Sequence, residues 1–131
     1  MRIFKTKWFN RFARKAEIED ETLSDAIREV ERGLIDAELG DGIIKKRVAR
    51  PEEGKRGGFR TIIVHKAGDL AVFLYGFAKK DKGNISKGEL QDFKKLGGVF
   101  KGMSATQLKT MVEEESLFEV SYGEGEENVP E

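Results

Sequence analysis

The sequence predicts an α+β domain in the order β-αα-βββ-α: a short strand, a helical hairpin laid on one face of an antiparallel sheet, and C-terminal helices. Three observations predict it. Two stretches between Thr6 and Ala37 place apolar residues three or four positions apart, the period of a helix. Three apolar stretches between Ile43 and Ala78 are separated by polar, Gly-containing connections of the kind that join neighbouring strands. Beyond residue 85, two Ser-x-x-Glu/Gln patterns have the spacing of helix capping boxes.

The elements follow in order. Residues 1–5 alternate loosely and read as a strand. Thr6 can cap a helix bearing Trp8, Phe9, Phe12 and Ala16 on one stripe, which reads as core. Glu17 to Glu21 is a polar connector. A second helix is expected from Thr22 to Ala37, with Leu23, Ile27, Val30 and Leu34 inward and Thr22 and Asp25 in capping positions. Gly40-Asp41-Gly42 closes the helical region.

Strands are expected at Ile43–Ala49, Phe59–Lys66 and Leu70–Ala78, forming an antiparallel meander. A polar hairpin, residues 50–58, joins the first two, and Ala67-Gly68-Asp69 joins the last two. Asp81 to Asn84 is a loop. Ser86 and Glu89 open a helix with Leu90, Phe93 and Leu96 inward, which Gly97-Gly98 should interrupt. Ser104 and Gln107 open another, with Leu108, Met111 and Val112, before an extended piece at Leu117–Val120. This gives one domain over residues 1–120 and an acidic tail over 121–131, Gly- and Glu-rich and expected to be disordered.

The chain has no cysteine, which excludes disulfides and thiolate metal sites and suits a reducing cytoplasm. Its N-terminus lacks the apolar stretch of a secretory signal. The longest apolar run, Leu70 to Phe77, is too short for a membrane span.

Charge is unevenly distributed. Lys and Arg number 24, as do Asp and Glu, yet eight acids and no Lys or Arg lie from Glu113 onward. Residues 45–101 hold 15 basic residues against six acidic ones, the pattern of a polyanion-binding surface. Alternation puts Lys45 and Arg47 on one face of their strand and Lys46 on the other. Arg60 follows Gly57-Gly58, which can let the backbone turn and approach a ligand. Lys79 ends the third strand beside it, followed by Lys80 and Lys82. Carboxylates are scarce near this cluster, and Asp81 is the expected partner of Lys82. His65 reads as structural. No acidic pair is spaced for two-metal phosphate chemistry, so no metal or cofactor is expected. RNA can still be cut by its own 2′-hydroxyl if a protein supplies a base, charge neutralisation and a proton for the leaving oxygen. Lysines crowded by cations have lowered pKa values and can move protons, while Arg47 and Arg60 can hold a phosphate.

The segments Lys45-Lys46-Arg47-Val48-Ala49, Gly54-Lys55-Arg56-Gly57-Gly58-Phe59-Arg60 and Phe77-Ala78-Lys79-Lys80-Asp81-Lys82-Gly83-Asn84-Ile85-Ser86 together resemble the HigB-type branch of the RelE/ParE toxin superfamily. The resemblance covers residues 1–120. It implies a toxin of a type II toxin–antitoxin system, a ribosome-dependent mRNA endoribonuclease partnered by mRNA, the ribosome and a helix-turn-helix antitoxin. It assigns catalysis to Lys45, Arg47, Arg60, Lys79 and Lys80, and RNA contacts to Lys55, Arg56 and Lys82. RelE toxins carry an arginine near the position of Lys80 and a tyrosine close to that of Ser86; this chain has neither, and Tyr75, preceding the basic loop, is not a simple replacement for the tyrosine. Two other readings stay open: a ParE-like gyrase poison that cuts nothing, and a noncatalytic nucleic-acid-binding module.

Overall fold

The computed structural model describes residues 1–50 and 54–121, residues 50 and 54–57 by backbone alone. Strand β1 (Arg2–Thr6) runs straight into helix α1 (Lys7–Ala16), where the Thr6 hydroxyl accepts from the Phe9 N–H at 3.1 Å. Glu17, in the left-handed region at φ 58°, ends α1, and α2 spans Asp20–Glu31. Strands β2 (Ala37–Gly40), β3 (Ile43–Arg50), β4 (Gly54–Lys66) and β5 (Leu70–Ala78) follow, then α3 (Lys87–Lys101), α4 (Ala105–Glu113) and β6 (Leu117–Glu119).

The sheet has the order β2-β3-β4-β5-β1-β6. The meander β3-β4-β5 is antiparallel as expected, but β1 joins β5 in parallel, with Arg2 opposite Leu70, and β6 closes on β1 antiparallel. The sheet is therefore mixed. Two apolar layers cover it. Phe9, Ala13, Leu23, Ile27 and Val30 from α1 and α2 pack on Ile44, Val48, Ile63 and Phe73. On the opposite face, Phe100 of α3 and Leu108 of α4 pack on Ile43, Ile62, Val64 and Val72. The helices thus lie on both faces. Among the described residues no helix is long and apolar enough to cross a membrane.

Several elements depart from the sequence expectation, each for a local reason. Helix α2 starts at Asp20 with Glu19 as N-cap and no side-chain cap, so Thr22 and Asp25 form no capping box. It stops at Glu31 because Gly33 turns to φ +87°, which leaves Leu34 53% exposed and frees Ala37–Gly40 to pair with β3. Gly97-Gly98 does not interrupt α3. A Cβ on Gly97 would stand 2.8 Å from Ile43 Cδ1, so the missing side chain lets the helix lie close on the sheet, and Leu96 turns outward. Trp8, expected in the core, is 41% exposed. Strand β4 begins at Gly54, so Gly57-Gly58 belongs to a strand and not to a turn. A Cβ on Gly58 would meet the Val48 carbonyl at 2.1 Å, and here glycine answers a close approach between strands. The tail expected to be disordered lies, past Ser121, outside the described residues.

Candidate nucleic-acid interface

The cations assemble through strand register. Arg47 of β3 is paired directly with Arg60 of β4, and Arg60 with Phe77 of β5. The next row toward the middle of the sheet is Lys45, Ile62 and Tyr75. Side chains alternate along each strand, so residues sharing parity with the buried Ile43 and Ile62 face α3. Lys45, Arg47 and Arg60 form a cationic patch on that face, beside the N-terminal half of α3.

Lys46 takes the opposite face. It is 5% exposed, and its Nζ donates to Glu29 Oε1 and to the Leu34 carbonyl, each at 2.7 Å. Its role is structural, on the face that alternation gave it.

Each cation has its own surroundings. Lys45 is half-buried and donates to Asn84 Oδ1 at 3.3 Å; that oxygen also accepts from the Ile85 N–H at 2.9 Å. The chain segment after β5 is thereby tied to β3. Arg47 lies past the end of β2, at the rim of the sheet; its side chain, 44% exposed, reaches Asp36 at 3.4 Å, and the residue also borders the shallow cleft between α2 and β3 on the other face. Arg60 is half-buried and has no carboxylate partner among the described residues. Lys79 and Lys80 are exposed in the turn after β5, and the Asp81 and Lys82 N–H groups both donate to the Ala78 carbonyl. Lys79 lies diagonal to Arg60, two residues past Phe77; the residues directly opposite Arg60 are Arg47 and Phe77. The side chains of Lys55 and Arg56 lie outside the described residues.

Carboxylates are less scarce than the sequence suggested. Lys82 donates to Glu89 Oε2 at 2.7 Å and does not pair with Asp81. This hydrogen bond holds the Lys82 ammonium above its usual range, aided by Tyr75, so its shift is opposite to that expected of a lysine crowded by cations. Lys82 and the Ser86 backbone N–H in turn hold the Glu89 carboxyl below its usual range. Glu89 serves twice, because its other oxygen accepts from Ser86 in the capping box of α3. Among the described residues no group of three or more His, Asp or Glu is arranged to hold a metal ion. His65 pairs with Glu31 near the other end of β4 and takes no part in the cluster.

Sequence reasoning gave Tyr75 no place, yet it belongs to this face. Its ring lies 5.3 Å from Phe93 and 4.6 Å from Trp8, and Lys82 Nζ stands 5.7 Å from its centre. The signal was masked twice. Strand β5 is apolar on both faces, so its period carries no face information. A bulge also pairs Ile62 with Tyr75 and Ile63 with Phe73, leaving Leu74 extra and reversing the parity.

A family model for the RelE toxin of the RelE/RelB toxin–antitoxin system matches residues 1–120, which contain every cation of the cluster. The chain belongs to the RelE toxin family. It is accordingly a toxin of a toxin–antitoxin system, and membership implies an antitoxin as partner. A comparison with curated proteins returned no match.

Proposed function

We propose that this RelE-family toxin is a ribosome-dependent endoribonuclease of the HigB-type branch, cutting mRNA without a metal. The observation that carries the reading is the direct pairing of Arg47 with Arg60. Like charges opposed across a sheet destabilise it by roughly 0.2–1 kcal/mol, and a phosphate between them turns repulsion into two charge-assisted contacts.

In this reading the substrate 2′-oxygen attacks the adjacent phosphorus as its proton passes to a lysine acting as base. The bond from phosphorus to the 5′-oxygen breaks, leaving a 2′,3′-cyclic phosphate, and the departing 5′-oxygen takes a proton from a second acid. Arg47 and Arg60 hold the phosphate and its developing charge. Lys45, fixed by Asn84, and the exposed Lys79 and Lys80 are the proton-moving candidates. Lys82, held protonated by Glu89, contributes charge only, with Lys55 and Arg56 assigned to RNA contacts. The mRNA, the ribosome and a helix-turn-helix antitoxin are the proposed partners, in the cytoplasm.

Primer extension on a translated reporter mRNA tests this. Cleavage by the wild type but not by Arg60→Ala is expected. Intact mRNA with stalled DNA supercoiling would instead establish the gyrase poison, and salt-sensitive RNA binding without either effect would establish a binding module.

A further inference from the structure

Helix α1 carries a second cationic surface that the proposed site does not use. Its ten residues include Lys7, Arg11, Arg14 and Lys15 and no acid, and all four cations are exposed. Elsewhere, Arg2, Lys5, Arg28, Lys46, Arg47, Lys66, Lys82 and Lys94 each have a carboxylate within 4 Å. Among the described residues the four cations of α1 have none, as is also true of Lys45, Arg60, Lys79 and Lys80 in the proposed site. Three of the α1 cations, Arg11, Arg14 and Lys15, line a groove of about 450 Å³ together with Trp8 and Phe12. An apolar floor rimmed by unpaired cations suits a peptide with both carboxylates and an apolar side chain.

The chain holds such a peptide. Residues 122–131 contain Glu124, Glu126, Glu127 and Glu131 together with Tyr122 and Val129, and no Lys or Arg. The segment begins near the right place. The Ser121 N–H donates to Asp20 Oδ2 at 3.0 Å, and Asp20 opens α2 just beyond the C-terminal end of α1. Ten residues extend to about 33 Å at most, and α1 itself is about 15 Å long. The whole groove is therefore within reach from Ser121.

We propose that the acidic C-terminal segment of the same chain docks in the α1 groove, its glutamates on Arg11, Arg14 and Lys15 and its apolar side chains against Trp8 and Phe12. Docking neutralises the helix and keeps a second basic surface from holding polyanions non-specifically. The inference does not depend on the ribonuclease reading.

Trp8 is the single tryptophan of the chain and lines this groove, so emission excited at the red edge, where tyrosine does not absorb, reports on it. The test compares full-length protein with the full-length variant E124Q/E126Q/E127Q/E131Q, both checked for the same circular dichroism. At low salt, acrylamide quenching of Trp8 rises about twofold in the variant, and in wild type the same rise follows addition of 1 M NaCl, which cuts the reach of the attraction to about 3 Å. In an Arg11→Glu/Lys15→Glu background the four replacements have no further effect. Equal quenching of wild type and variant at low salt overturns the proposal. So does a difference that grows with protein concentration, which would put the tail of another copy in the groove.

Discussion

Arg47 and Arg60 stand directly opposite each other on β3 and β4, two guanidinium groups where a sheet ordinarily sets a cation against a carboxylate. Among the described residues only Arg47 of the two has an acidic neighbour, Asp36 at 3.4 Å. In the proposed reading an anion on this face relieves that opposition. Arg60→Ala should therefore abolish mRNA cleavage, while thermal unfolding shows stability unchanged or raised by up to about 1 kcal/mol. A clear loss of stability together with activity would make Arg60 structural.

Adjacent lysines on β3 should separate cleanly. Lys46→Ala removes the buried partner of Glu29 and of the Leu34 carbonyl and should cost about 1–3 kcal/mol in denaturant unfolding. Lys45→Ala should stay within about 0.5 kcal/mol of wild type. Its defect should be in cleavage. The reverse pattern would mean that the faces of β3 are misassigned.

The Lys82–Glu89 pair sets a pH window. Glu89 is lowered in the folded state, so its contribution is present above the ordinary carboxylate range and is lost as pH falls through its lowered value. Lys82 is raised, so its contribution is complete below the ordinary lysine range and is lost as pH rises through its raised value. Between those limits the pair persists, and Lys82 stays charged at neutral pH. Titration followed by NMR should show the Lys82 value falling toward the ordinary one in Glu89→Gln. No movement would remove Glu89 as the cause.

Neighbouring glycines in α3 should respond oppositely to alanine. Gly97→Ala drives a Cβ toward Ile43 Cδ1 and Val64 Cγ2, at 2.8 and 3.1 Å, and should cost about 1–3 kcal/mol. Gly98 has nothing within 4 Å, and Gly98→Ala should stabilise by about 0.5–1 kcal/mol through helix propensity. Thermal melts of the two variants settle the matter.

How legible this fold was in the sequence depended on the range of the forces involved. Capping boxes at Ser86 and Ser104 are local, and both formed as read. Alternation on β3 separated Lys46 from Lys45, because a one-sided strand states its faces. What needed a partner was hidden. The strand Ala37–Gly40 exists through its pairing with β3, and position 97 is glycine within a continuous helix because the sheet beneath it leaves no room for a Cβ. At the candidate site the cations could be read, but their carboxylates could not. Asp36 and Glu89 come from elements whose placement no spacing reveals, and Tyr75 needed the bulge to show its face.

Parallel insertion of β1 beside β5 also bears on when the toxin becomes active. The first strand leaves the ribosome early, but its sheet partner begins at Leu70, and the strand that flanks its other edge begins at Leu117. A helical hairpin can form while the chain is still short, since its contacts are local. The sheet cannot. A pairing that joins residue 2 to residue 70, and residue 4 to residue 119, postpones closure until residue 119 has been made. A nascent toxin of this topology has little folded surface to act with while it is still being made, and an interval remains in which an antitoxin can meet it first.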